Sequence, residues 1–174
     1  MPISLHAALV PGWLQILRAT RALVDKAETH CNETGIDAAE LLQTRLIDDM
    51  LPLAYQFKSC SVHSQGAIEG VRRGSFSPDR TEPPATFAGI AAQLDAAAVF
   101  LASLDPAELE GFTDKEVVFG IGENFRREFT ADNFLLGFSQ PNFFFHATTA
   151  YNILRMTGFP IGKGNFIGVM PARG

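Results

Sequence analysis

The stretch PNFFFHATTAYNILR, residues 141–155, is largely apolar and carries an asparagine and a histidine among its phenylalanines. Asn142 and His146 are four residues apart, and at 3.6 residues per turn they lie one above the other on a single helical face. Polar groups inside an apolar helix need hydrogen-bond partners or a ligand, because burying them unpaired is costly. The stretch therefore predicts a helix over residues 133–157 with a candidate site on one of its faces.

Three further segments show helical periodicity. Apolar residues recur at three- and four-residue steps over residues 3–31, 38–70 and 86–104. Asp37 and Glu40 have the spacing of a capping box at the start of the second helix. Residues 115–130 alternate around a turn, which predicts a β-hairpin. We therefore expect an all-α fold, an antiparallel four-helix bundle with a small β-hairpin between helices 3 and 4.

The composition is that of a globular protein. With 174 residues, 47% apolar and 19% charged, the chain fits a single domain over residues 1–174. The net charge of −5 and the lack of a basic patch argue against nucleic acid as a partner. No apolar run has the length of a membrane span, and the first residues lack a signal peptide's pattern. Cys31 and Cys60 have no disulfide-framework spacing, so we predict a cytoplasmic protein.

The second predicted helix contributes acidic candidates. Asp48 and Asp49 are adjacent in it, so they project about 100° apart and at most one faces the core. Arg45 precedes Asp49 by four residues and is placed to form an ion pair with it. We predict that Asp49 meets His146 between helices 2 and 4, away from bulk water. His63 lies nearly four turns beyond Asp49 and is predicted to lie outside this site.

Three segments together resemble a known family: RLIDDMLPLA at 45–54, the stretch at 141–155, and GFPIGK at 158–163. Through them the chain resembles the DinB/YfiT-like superfamily of metal-dependent bundle proteins, and an uncharacterised subfamily within it. The resemblance implies a four-helix bundle that assembles as a homodimer. In metal-binding members, one histidine comes from helix 2 and an H-x-x-x-H pair from helix 4. On this sequence the resemblance implies a zinc or nickel site at Asp49, Asn142 and His146.

Three functions are open at this point. In the first, a metal-dependent enzyme of the thiol-transferase type, His146 and Asp49 act as ligands or as base and acid. Asn142 then orients the substrate, and Arg45 holds a carboxylate on it. In the second, the chain is a metal-free protein that binds a small molecule between its helices. In the third, His146 belongs to a hydrogen-bonded core network of a stress-related homodimer without catalysis.

Overall fold

The computed structural model describes residues 3–123 and 125–170, which are mostly helical. The helices are α1 (Leu5–Thr34), α2 (Ala38–Gln43), α3 (Leu53–Val62), α4 (Gln65–Arg73), α5 (Phe87–Ala102), α6 (Pro106–Glu110), α7 (Ala131–Asn133), α8 (Gln140–Met156) and α9 (Lys163–Ile167). A π-helical turn, Phe134–Ser139, joins α7 to α8, and the strands are β1 (Ser75–Phe76), β2 (Glu116–Ile121) and β3 (Phe125–Thr130). Within these described ranges, no helix combines the length and the apolar character that crossing a bilayer requires.

The core lies between the four longest of these helices, because α1 packs against α5 and α8, and α3 also packs against both α5 and α8. Large aromatic side chains fill it. Trp13 of α1 and Phe143 of α8 are fully buried, with ring centroids 6.2 Å apart, and Phe57 of α3 is also fully buried. Burial of each such ring contributes roughly 2–3 kcal/mol. These contacts fix α8 against α1, three residues before His146.

The second helix predicted over residues 38–70 is wrong as one continuous element. Asp37 does cap a helix, since its carboxylate accepts from the backbone N–H groups of Ala39 and Glu40. That helix ends at Gln43, and residues 44–52 are not helical. Pro52 explains why the helix does not continue up to residue 52, because its ring disfavours helical backbone at the preceding residue and it has no N–H to donate. Pro52 instead stands at the N-cap of α3.

The three strands form one small sheet in the order β1-β2-β3. Strands β2 and β3 pair antiparallel, from Glu116 opposite Thr130 to Ile121 opposite Phe125. Strand β1 pairs parallel to β2 and was not predicted, because two residues are too few to show an alternating pattern. The sheet packs through aromatic rings onto the π-helical turn, where Phe119 and Phe138 have centroids 4.7 Å apart.

The π-helical turn follows from Pro141. This residue has no backbone N–H and its ring clashes with the carbonyl group four residues earlier, so an ideal α-helix cannot run through it. A wider turn immediately before α8 accommodates the proline. Ser139, at the end of that turn, is fully buried and faces α3, as its contacts below show.

The loop before α5 is anchored to α3 by a buried lysine. Lys58 is 3% exposed, and its Nζ donates to the carbonyl and the hydroxyl of Thr81 and pairs with Asp79 Oδ1 at 2.9 Å. Burial alone would raise the pKa of the Asp79 carboxyl, but hydrogen bonds from Thr81 and Lys58 outweigh it and lower that pKa. The carboxylate is therefore ionised, which balances the buried ammonium.

Candidate functional site

Two histidines meet where the end of α3 faces α8. His63 is the C-cap residue of α3, and His146 lies in the second turn of α8. Their ring centroids are 5.5 Å apart and their planes are inclined by 17°. Both side chains are half-buried. We call these two residues the imidazole pair.

A glutamine fixes the protonation of His146. His146 Nδ1 lies 2.7 Å from Gln56 Oε1, and Gln56 Nε2 donates to the carbonyl oxygen of Leu51 at 2.7 Å. A backbone carbonyl only accepts, so the amide nitrogen must face Leu51 and the amide oxygen must face the imidazole. Gln56 is 2% exposed and is held in this orientation. His146 therefore carries its proton on Nδ1.

Ser139 fixes the protonation of His63. The hydroxyl of Ser139 donates to the backbone carbonyl of His63 at 3.1 Å, and its oxygen lies 3.3 Å from His63 Nδ1. The single hydroxyl proton is used on the carbonyl, so the serine oxygen accepts from the imidazole N–H. His63 therefore also carries its proton on Nδ1.

Both Nε2 atoms are consequently lone-pair acceptors. In the described part of the chain, neither of them has a hydrogen-bond partner. Neither belongs to the buried side-chain atoms that lack partners, a set formed by Trp13 Nε1, Thr20 Oγ1 and Gln93 Oε1. Each Nε2 atom is therefore not completely buried.

Burial keeps the imidazole pair neutral. It lowers the pKa of His63 to about 3, with a further contribution from the neighbouring His146, and it lowers the pKa of His146 to about 4. The hydrogen-bond partners of the pair are an amide and a hydroxyl, neither of which compensates a positive charge. At neutral pH both rings are thus uncharged acceptors.

Aromatic rings form the surroundings of the pair. The rings of Tyr55 and Phe145 are inclined steeply to the ring of His146, at centroid distances of 6.1 and 5.3 Å. Phe76 and Phe138 lie 5.6 and 5.9 Å from the ring of His63. The imidazole pair therefore lies among aromatic rings, and aromatic side chains with a few polar groups are the usual lining of a small-molecule site.

The comparisons with known proteins place the chain in a family. A family model described as a domain of unknown function, DUF1993, matches residues 5–167. The chain belongs to the DUF1993 family. A DinB family member protein from Shewanella denitrificans has a similar crystal structure, with a TM-score of 0.82 and 23% identity over 98% of this chain and 95% of that one. At this identity the likeness shows the fold alone. No curated protein matches the sequence.

The structural match confirms the DinB-like fold that the resemblance implied, and the matched family is one described as a domain of unknown function. The structure does not bring the predicted site residues together. Asp49 is exposed in the segment 44–52, and the place beside His146 that was predicted for it is occupied by Gln56. The predicted His146–Asp49 contact is wrong because helix 2 ends before Asp49. The catalytic roles of His146, Asp49 and Arg45 stay predictions.

Arg45 and Asn142 also have partners other than those predicted. Arg45 is exposed, and its guanidinium donates to the carbonyl oxygen of Met50 instead of pairing with Asp49. Asn142 Nδ2 donates to the carbonyl oxygen of Phe138 at 2.7 Å, so its amide is engaged within its own helix. Of the predicted set, only His146 therefore belongs to the imidazole pair.

Three residues of the site were missed by the sequence analysis: Gln56, His63 and Ser139. One signal for them was present. Gln56 and His63 are seven residues apart, two helical turns, and therefore share a face of α3. His63 was excluded because its distance was measured from Asp49, which does not belong to the site. Ser139 gave no signal, because its position depends on the π-helical turn.

The family resemblance implies a metal, and the donor set of this DUF1993 chain does not fit one. Over residues 3–123 and 125–170, no three histidine, cysteine, aspartate or glutamate side chains lie together as metal ligands would. Protein zinc sites use three or four such ligands. Here His63 and His146 offer two, Asn142 is engaged elsewhere, and Asp49 is exposed. The predicted zinc or nickel site is therefore not supported by the residues present.

Proposed function

We propose that this protein binds a small neutral molecule, without a metal, at the imidazole pair. The observation that carries the proposal is the fixed tautomer of both rings, since each Nδ1–H is used inside the protein and each Nε2 is open. The two rings, whose centroids lie 5.5 Å apart, each offer one acceptor atom, which suits a ligand that carries O–H or N–H donors. His63 and His146 are the ligand-binding residues in this proposal.

The surroundings favour binding over proton transfer. A general base works best when its pKa lies near the operating pH, whereas the pKa values here are about 3 and about 4. Among residues 3–123 and 125–170, no carboxylate that would stabilise an imidazolium is hydrogen-bonded to the pair. The rings of Tyr55 and Phe145 suit the apolar part of a ligand. The proposed ligand is therefore an uncharged aromatic or otherwise flat molecule that carries a donor.

Phenol and toluene form a matched pair of probes, because a methyl group replaces the hydroxyl donor. We expect phenol to bind more tightly than toluene and to shift the Nε2 resonances of both histidines in an NMR titration. His63→Asn and His146→Asn keep a side-chain N–H near Nδ1 and remove Nε2, so each is expected to abolish the preference for phenol. His6→Asn, at the start of α1, controls for the loss of a histidine as such.

Two outcomes would contradict the proposal. The first is equal binding of phenol and toluene, or a preference that survives in both asparagine variants with native circular dichroism. The second is stoichiometric binding of zinc that raises the melting temperature and is lost in His146→Asn, since that result would make the pair a metal centre.

A further inference from the structure

A cleft with a volume of about 410 Å³ lies between the loop preceding α3 and the loop preceding α5, and Tyr55 of α3 is part of its lining. Its size is in the range of sites for small molecules. Three lining residues, Pro52, Pro78 and Pro83, are prolines, whose fixed φ angle restricts the backbone around the cleft. Together with the ring of Tyr55 they form apolar walls. The cleft is therefore largely preformed.

Two arginines, Arg45 and Arg80, line this cleft. Arg45 donates to the carbonyl oxygen of Met50, and in residues 3–123 and 125–170 neither guanidinium forms an ion pair. Glu82 lines the cleft as well, so the charged side chains there sum to one positive charge. The chain as a whole carries a net charge of −5, which makes this positive cleft a local exception.

The backbone that carries Arg80 is anchored on both sides. Lys58 Nζ pairs with Asp79 and donates to Thr81, the two residues that flank Arg80 in the sequence. Asp79 Oδ1 also accepts from the backbone N–H of Thr81 at 2.9 Å. The anchor restricts where the guanidinium can go, so less freedom is lost when it meets an anion.

We infer that this cleft binds the carboxylate of a small monoanionic molecule with an apolar body. Guanidinium groups match the geometry of a carboxylate and donate to both of its oxygens. One net positive charge suits a single negative charge better than the double charge of a phosphate. Tyr55 and the prolines then contact the apolar body. The inference uses donors other than the imidazole pair, so it does not depend on the function proposed above.

Phenylacetate tests the inference on the full chain, with phenylacetamide as the uncharged analogue of the same shape and inorganic phosphate as the other anion. By isothermal titration calorimetry we expect phenylacetate to bind at least tenfold more tightly than either. Arg45→Gln and Arg80→Gln are each expected to weaken phenylacetate binding about tenfold, which corresponds to one charge-assisted hydrogen bond. Arg73→Gln, exposed at the end of α4, is the matched control and should bind as the wild type does.

Several results would overturn the inference. Equal binding of phenylacetate and phenylacetamide would show that the charge of the ligand does not contribute to binding. Tighter binding of phosphate would show that the cleft is a phosphate site. Unchanged affinity in both glutamine variants would place the anion elsewhere, and no heat of binding at millimolar phenylacetate would leave the cleft without this ligand class. His63→Asn and His146→Asn should not change phenylacetate affinity, which separates this outcome from a failure of the imidazole site.

Discussion

Acidification from pH 7 to pH 4 is expected to destabilise the wild-type protein by several kcal/mol more than the double variant His63→Asn/His146→Asn. In the unfolded chain a histidine titrates near pH 6.5, whereas in the fold the pKa values of His63 and His146 are about 3 and about 4. Between these values the unfolded chain binds more protons, so the free energy of unfolding falls as the pH falls. The stabilisation is fully present above pH 6.5, and its loss is on the order of 3 kcal/mol for each histidine by pH 4.

Asparagine suits this comparison because its amide N–H replaces Nδ1–H toward Gln56 or Ser139 and does not titrate. Urea unfolding at a series of pH values gives the free energy of unfolding for each protein. Carboxyl groups that titrate in the same range are common to both proteins and cancel in the difference. Parallel pH profiles of the wild type and the double variant would show that the two imidazoles titrate in the fold as they do in the unfolded chain, which would contradict the lowered pKa values.

Asp79→Ala is expected to lower the free energy of unfolding by roughly 3 kcal/mol, because it leaves the buried ammonium of Lys58 without its counter-charge. Chemical denaturation at pH 7 measures the change. Replacing both partners, in Lys58→Met/Asp79→Ala, should recover much of the loss, because methionine fills similar space and buries no charge. The double variant therefore separates the cost of an unpaired charge from the cost of a changed loop.

Asp95→Ala is the matched control for this prediction. Asp95 pairs with Arg21 at 3.0 Å, and its side chain is 59% exposed, so removing it should cost less than about 1 kcal/mol. A similar loss of stability in Asp79→Ala and Asp95→Ala would mean that the burial of Lys58 does not increase the cost of removing its counter-charge. Failure of the Lys58→Met/Asp79→Ala variant to regain stability would mean that the loop contacts, and not the charge, carry the effect.

The mostly helical architecture could be predicted from the sequence because helices depend on residues that are close together in the chain. Apolar residues at three- and four-residue steps require a buried face wherever the chain folds, and the helix ends are marked by residues such as Asp37. The exception is residues 44–52. Pro52 was interpreted as a kink within a helix, whereas the structure uses it to begin a new one. Both outcomes satisfy the missing N–H of proline, and the sequence pattern alone does not distinguish them.

Only part of the candidate site could be predicted from the sequence, for a different reason. His146 stood out because it is polar within an apolar helix, and the structure keeps it in the site. Its partners come from α3 and from the π-helical turn, so they are defined by which elements pack together and not by spacing along the chain. Asp49 was chosen as the partner on the assumption of a continuous helix. When the helix ends at Gln43, that carboxylate moves to the surface and Gln56 takes its place.

The partner of His146 is Gln56 and not Asp49, and this difference changes the chemistry of the imidazole. A carboxylate beside His146 would favour an imidazolium and acid–base work, whereas the amide of Gln56 favours a neutral ring with an open Nε2. A long-range proton–nitrogen NMR spectrum of histidine-labelled protein at pH 7 measures this state directly. The account predicts that His63 and His146 both carry a proton on Nδ1 and none on Nε2. A protonated Nε2 on either ring at pH 7 would contradict it.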